Sequence, residues 1–191
     1  MIAHPNQTHL TPEQYLEWEK HQELKHEYIH GQVFAMAGAS NAHVTIALNL
    51  ASALRNDLRG GACRVFISDM KVQVQDNGPF YYPDILVTCD LRDRSADYVM
   101  RYPRLIVEVL SPSTEAFDRG RKFTDYRKLE TLQEYVLIDT QRVSVECFRR
   151  NAEGRWVLYP YAEAEEVQLA SLDFCCPISA LYEEVELGAQ P

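Results

Sequence analysis

The 191-residue chain lacks a basic excess: 28 acidic side chains face 19 basic ones, for a formal net charge of −9. A protein that coats nucleic acid gains most of its affinity by neutralising phosphates with Lys and Arg, so that class is excluded. Also absent is any run near the roughly 18 uninterrupted apolar residues of a spanning helix. The start, MIAHPNQTHLTPEQ, shows no charged-then-apolar signal pattern, so a cytoplasmic protein is expected. The five cysteines (Cys63, Cys89, Cys147, Cys175, Cys176) are odd in number and nowhere spaced CxxC. Neither a disulfide framework nor a zinc ribbon is expected from them, and they read as small buried hydrophobes. There is no P-loop or dinucleotide fingerprint, internal repeat, low-complexity tract or obvious linker. The expectation is one domain over residues 1–191, with 1–10 as a flexible N-terminus, and the 46% apolar residues suffice for a sizeable core.

The negative charge is uneven. Residues 1–90 carry −4, residues 91–128 carry +3, residues 129–150 carry −1 and residues 151–191 carry −7. The basic segment holds Arg92, Arg94, Arg101, Arg104, Arg119, Arg121, Lys122, Arg127 and Lys128. Such a cluster is either a phosphate-facing surface or, more commonly, solvated salt-bridging surface.

Thr11-Pro12-Glu13 starts a helix expected over Pro12 to Lys25. Glu27 to Met36 reads as two short strands turning at His30-Gly31. Ser40-Asn41 caps a second helix, whose Ile46, Leu50 and Leu54 recur on one face and which Gly60-Gly61 ends. Strands are expected at Cys63–Val74, Phe80–Cys89 and Leu105–Leu110; the continuous apolar character of the last implies a sheet covered on both faces. A helix from Ser111 to about Leu129 and a strand at Glu134–Asp139 follow. Arg142–Arg149 and Arg155–Tyr161 suggest an edge hairpin, and the acidic tail should dock through Leu169, Leu172, Phe174 and Leu181.

Two carboxylates stand out. Asp84 begins an apolar strand, and Glu108 interrupts LIVEVL with two apolar residues on either side. Burying an unpaired carboxylate costs several kcal/mol at least, so each needs a partner, a raised pKa or a cation. The ordinary solution is an arginine, such as Arg104 or Arg64, or a solvated strand end. A divalent ion such as Mg²⁺ or Mn²⁺, with a backbone carbonyl and water completing the shell, satisfies both acids at once. Asp118, Lys122 and Tyr126 share one face of the following helix, so the lysine either points back over the strand ends or pairs locally with Asp118.

These residues resemble a known family. Pro83-Asp84, then Glu108-Val109-Leu110-Ser111-Pro112-Ser113-Thr114, then Asp118, Lys122 and Tyr126, then Glu134-Tyr135-Val136-Leu137-Ile138-Asp139 look like the Uma-two family of restriction-endonuclease-like proteins. That group is often described as a domain of unknown function and belongs to the PD-(D/E)XK nuclease superfamily. Glu27-Tyr28-Ile29-His30-Gly31, Met36-Ala37-Gly38-Ala39-Ser40 and His43 extend the match over roughly Thr11 to Tyr182. The resemblance implies that Asp84 and Glu108 are metal-binding acids. Leu110 occupies the place of the superfamily's E-x-K lysine, so the resemblance assigns that role to Lys122 from the next helix. It also implies that Glu27 is an early acid able to hold a water on the metal, and that two copies work together as a homodimer.

Four further features have lower weight. Asp69 either faces the same cleft or pairs with Lys71, and His43 is either a helix-start histidine or a base or ligand. Phe80-Tyr81-Tyr82 packs in a core or dimer contact, or else stacks on a base. Ser113 and Thr114 read as helix caps, with phosphate binding as the alternative. The expected architecture is an α/β restriction-endonuclease-like fold, with a mixed central sheet, flanking helices and an added C-terminal hairpin. The expected function is Mg²⁺- or Mn²⁺-dependent hydrolysis of nucleic-acid phosphodiesters, DNA foremost, with Asp84, Glu108, Lys122 and Glu27 as catalytic residues. The alternatives are a catalytically inactive binding or assembly module on the same scaffold and hydrolysis of a small phosphate ester.

Overall fold

A computed structural model describes residues 9–187. The expectation of a flexible N-terminus falls outside the described residues for 1–8. At residue 10 the Leu10 N–H donates to the Gly31 carbonyl at 3.0 Å, and its own carbonyl accepts from the Tyr28 hydroxyl at 2.8 Å.

Helix α1 (Pro12–Glu19) starts at a capping box, in which Thr11 and Gln14 satisfy each other's backbone N–H groups. It ends six residues short of the expected Lys25, because the Glu19 carboxylate receives the His26 N–H at 2.8 Å and the chain turns back there. Strands β1 (His26–Ile29) and β2 (Gln32–Ala35) form the expected hairpin. His30 and Gly31 both have positive φ (48° and 92°), as a tight primed turn demands. Helix α2 (Asn41–Asp57) is capped by Ser40 and buries Ile46, Leu50, Ala51 and Leu54.

The expected strand Cys63–Val74 is two strands, β3 (Arg64–Ile67) and β4 (Lys71–Gln73), and Phe80–Cys89 likewise divides into β5 (Phe80–Tyr81) and β6 (Ile85–Thr88). The breaks fall at Ser68-Asp69-Met70 and at Tyr82-Pro83-Asp84, where Pro83 has no N–H for a ladder. The crossings lie side by side, tied by the Ser68 N–H to the Asp84 carbonyl at 3.1 Å. Next come β7 (Val99–Met100) and β8 (Pro103–Leu110). The expected mixed central sheet is six-stranded, with β8 parallel to the later strand at Glu134–Asp139, and a second, five-stranded sheet, β2-β1-β5-β4-β7, lies beside it.

After β8 the expected long helix is broken into α3 (Glu115–Phe117), a π-helical turn (Asp118–Lys122) and α4 (Phe123–Tyr126). Strands β9 (Glu134–Asp139), β10 (Ser144–Arg150) and β11 (Trp156–Ala162) complete the larger sheet in the order β11-β10-β9-β8-β6-β3, with the hairpin at its edge. Strands β12 (Glu166–Leu169) and β13 (Phe174–Pro177) and helix α5 (Ile178–Leu181) close the chain. Leu169, Leu172, Phe174 and Leu181 are buried in the core as expected.

Strand alternation divides the larger sheet into two faces. Ile85, Val87, Leu105, Val107, Val109, Val136 and Ile138 pack with α2 and the C-terminal segment. Leu86, Ile106, Leu110, Tyr135 and Leu137 pack under Tyr126, Leu129 and the smaller sheet. Glu108 points to this second face. The cysteine expectation is corrected in part. Cys63 and Cys89, one residue beyond the Arg64–Thr88 pair of the β3–β6 ladder, form a disulfide. Cys147 and Cys176 are buried and Cys175 is exposed. An odd count excludes a complete framework but not one bond between opposed strand ends.

Candidate active site

Asp84 immediately precedes β6, whose Ile85 pairs antiparallel with Val107 of β8. Asp84 therefore stands at the strand end, close enough to Glu108 for its charge to act on that acid. Asp84 Oδ2 accepts the Val109 N–H at 2.7 Å and lies 3.2 Å from His43 Nε2. Neither expected arginine is a partner: Arg64 donates to the Arg94 carbonyl and Arg104 to the Ser171 carbonyl.

Around Glu108 the structure gathers three buried carboxylates on one ammonium. Lys122 Nζ lies 3.1 Å from Glu108 Oε1, 3.1 Å from Glu27 Oε1 and 3.3 Å from Asp118 Oδ1. The Tyr126 hydroxyl donates to Glu108 Oε1 at 3.0 Å, the Tyr82 N–H to Glu27 Oε1 at 3.4 Å, and the Tyr135 hydroxyl to the Asp118 carbonyl at 3.0 Å. All four charged groups are at most 6% exposed. Beyond the lysine, Asp118 Oδ1 has no hydrogen bond among the described residues although it is buried. Asp118 thus both pairs with Lys122, as the local alternative held, and joins the cluster.

Burial pushes Glu108 well above the usual carboxylate range despite Lys122, and does the same to a lesser degree for Glu27 and Asp118. Burial also works against the Lys122 ammonium, but Glu108, Glu27 and Asp118 outweigh it and hold the amine protonated. Two positive groups at most, Lys122 and His43, face four acids, counting Asp84. The surplus of negative charge in a water-poor site calls for protons or a cation.

The donor set suits Mg²⁺ or Mn²⁺, because Asp84 Oδ1 and Glu108 Oε2 carry no hydrogen bond among the described residues. Such ions are commonly held by one or two carboxylates, with waters and substrate oxygens completing the shell. No cluster of three or more His, Cys, Asp or Glu with metal-binding geometry occurs among the described residues, so a cation here would rely on those additional oxygens.

The π-turn shapes this arrangement. The Phe123 N–H reaches back to the Asp118 carbonyl, one residue further than in an α-helix. Asp118, Lys122 and Tyr126 still converge on β8, as their spacing predicts. Leu110, in the E-x-K position, is buried in the core.

Several expectations are corrected. Asp69 does not face the site: it is highly exposed and pairs with Lys25 at 2.7 Å. Lys71, its expected alternative partner, donates instead to the Tyr82 hydroxyl at 2.9 Å. Phe80, Tyr81 and Tyr82 are all buried, as the core reading held, which removes the base-stacking alternative. Thr114 stands at the cap position of α3 but makes no side-chain cap bond; Ser111 Oγ instead contacts Ser113 and Thr114. The basic segment is in part salt-bridging surface, as the commoner reading held: five of its nine basic side chains, Lys122 included, pair with acids. Arg92 pairs with Asp90 and Glu130, Arg119 with Glu115 and Glu146, and Arg121 and Lys128 with Asp125. Sequence reasoning missed the His43 contact to Asp84 and the convergence of Glu27 and Asp118 on a single lysine.

Residues 12–179 match the Uma2 family, described as "Putative restriction endonuclease". The chain belongs to the Uma2 family. "Uncharacterized protein slr1290" of Synechocystis sp. is 40% identical over 185 residues, covering 95% of this Uma2 chain and 97% of that protein. "Uncharacterized protein sll1609" of the same organism is 35% identical over 152 residues, covering 78% and 85% respectively. A crystal structure from Anabaena variabilis, described as "a putative nuclease belonging to DUF820", superposes with a TM-score of 0.75 at 18% identity. It covers 91% of this chain and 98% of that one. That likeness shows that the Uma2 chain has the restriction-endonuclease-like fold.

Proposed function

We propose that this Uma2 protein hydrolyses nucleic-acid phosphodiester bonds with the help of Mg²⁺ or Mn²⁺, DNA being the expected substrate. The carrying observation is the surplus of buried carboxylates around Lys122, near an Asp84 whose second oxygen has no hydrogen bond among the described residues. Asp84 and Glu108 would hold the ion, which supplies Lewis acidity and stabilises charge developing on a phosphate. Glu27 Oε1 and Lys122 Nζ, 3.1 Å apart, can accept from and donate to a water beside the phosphate, orienting it for attack. The ammonium also stabilises negative charge on the phosphate oxygens in the transition state. The aromatic groups of Tyr81, Tyr126 and Tyr135 restrict water around the acids and so strengthen each of these interactions.

The test is a cleavage panel over single- and double-stranded DNA and RNA with Mg²⁺, Mn²⁺ or chelator. The parent should cleave at least one DNA form with metal only, while Asp84→Ala/Glu108→Ala and Lys122→Met should lose at least about 100-fold in rate. Cleavage by the double variant at the parental rate would overturn the reading. Size measurement in solution tests the dimer expected for cutting two strands. Among the described residues no helix is long and apolar enough to cross a membrane.

A second reading, a non-catalytic binding module on the same scaffold, is favoured by the replacement of the E-x-K lysine with Leu110 and by the full engagement of Lys122 with acids. Calorimetry with Mn²⁺ separates the two. Binding that requires Asp84 and Glu108 supports the nuclease, and no binding supports the module.

A further inference from the structure

The apolar stripe of α2 does not end with its last apolar residue. Ile46, Leu50 and Leu54 seat the helix on the larger sheet, and His43 continues their line by one step toward the N-terminus. At that point the sheet presents Asp84 instead of an apolar side chain. The helix start is itself anchored, because the His43 N–H donates to Ser40 Oγ at 3.3 Å. The imidazole is therefore delivered by a packed and capped helix, and its Nε2 lies 3.2 Å from Asp84 Oδ2.

The same oxygen receives the Val109 N–H at 2.7 Å. Asp84 Oδ2 thus lies between two groups on different elements, and rotation of the carboxylate about its Cβ–Cγ bond is opposed from both sides. Among the described residues no hydrogen bond falls on Asp84 Oδ1. A carboxylate held through one oxygen, with the other left without a hydrogen bond, is the arrangement that orients an acid for a cation.

We propose that His43 is a positioning residue for divalent-metal binding, acting through Asp84 and not by contact with the ion or substrate. This rests on the metal-dependent reading above. In this role Nε2 presents an N–H toward Asp84 Oδ2, 3.2 Å away, and both the imidazolium and one neutral tautomer carry one. Groups that orient metal ligands from behind change metal affinity by about 10- to 100-fold when removed.

The experiment measures Mn²⁺ affinity by calorimetry for the full chain and three variants, beside their unfolding midpoints in chelator. His43→Gln places an amide nitrogen near the position of Nε2 and should bind as the parent does. His43→Met has no donor, and His43→Asn has one that stops short of Asp84. Both should bind Mn²⁺ about 10- to 100-fold more weakly. Their metal-free midpoints should stay together, a separation that a merely structural role would not produce. On DNA the same two variants should need more Mn²⁺ for half-maximal cleavage but reach the parental kcat at saturation.

Parental affinity in His43→Met or His43→Asn overturns the proposal, as does loss in His43→Gln equal to theirs. Should His43→Met fail to fold, the contrast of Asn with Gln decides. Absence of Mn²⁺ binding in the parent overturns the metal-dependent function itself, and this proposal with it. Binding by the parent with no effect of His43 leaves that function standing and removes only the positioning role.

Discussion

Lys122 holds together charges that would otherwise repel. Its ammonium touches Glu108, Glu27 and Asp118, and removing one partner from a buried ion pair leaves uncompensated charge that costs about 3–5 kcal/mol. Lys122→Met should lose about that much stability at pH 7 by urea denaturation. At pH 5 the loss should shrink, because acids whose folded pKa is already raised take up protons and relieve the repulsion. An equal loss at both pH values would contradict this account. Asp125 behaves in the opposite sense. It is buried, and although burial raises its pKa, hydrogen bonds from Lys128, Arg121 and Tyr81 outweigh this and hold it below 3.8. A lowered folded pKa means that its contribution is complete above 3.8 and is lost as the pH falls through the folded value. The stability gap between the parent and Asp125→Asn should therefore be widest near neutrality and narrow on acidification toward pH 3; a gap that is constant with pH refutes it. Asp84 and Glu108 were legible as unusual because one begins and the other interrupts an apolar strand, and Asp118 was legible as a neighbour of Lys122; the meeting of Glu27 with that lysine and of His43 with Asp84 was not, because it joins separate elements.

The elements that carry the site are short, and their ends matter more than their interiors. Helix α2 begins at Ser40, whose hydroxyl accepts the His43 N–H. Ser40→Ala should cost about 1 kcal/mol in chemical denaturation, and a change near zero would show that the cap is not stabilising. The Ser40-Asn41 start, the His30-Gly31 turn and the Glu134–Asp139 strand were all readable from local residue types, because caps, turns and strand periodicity are set by neighbours within four positions. The π-turn at Asp118–Lys122 was not. Its residues read as plain helix, and the extra residue per turn is accommodated by packing: Lys122 is held by acids from β1 and β8, and Phe123 stacks on Tyr135 with ring centroids 5.2 Å apart.

At the scale of the whole molecule, the net charge of −9 predicts weak DNA binding in chelator and tighter binding with divalent metal, because bound cations offset acids at the site. A metal-free gel shift showing tight binding at moderate salt would contradict this. If Asp84 and Glu108 hold the ion in the folded state alone, Mg²⁺ at about 100 times its Kd should add about 2.7 kcal/mol. For a chain of this length that is roughly 5–10 °C in Tm. The shift should vanish in Asp84→Ala/Glu108→Ala, and a shift retained there would place the ion elsewhere. The sequence by itself determined the α/β composition, most element starts, the covered strand β8 and the two acids that interrupt apolar strands, because each is written in local pattern. Only the tertiary structure decided the division into two larger sheets, the bond between Cys63 and Cys89, the pairing of His43 with Asp84 and which basic side chains pair with acids. Most of these join residues far apart in the chain. Strand register and burial bring them together, and neither is encoded by spacing along a single element.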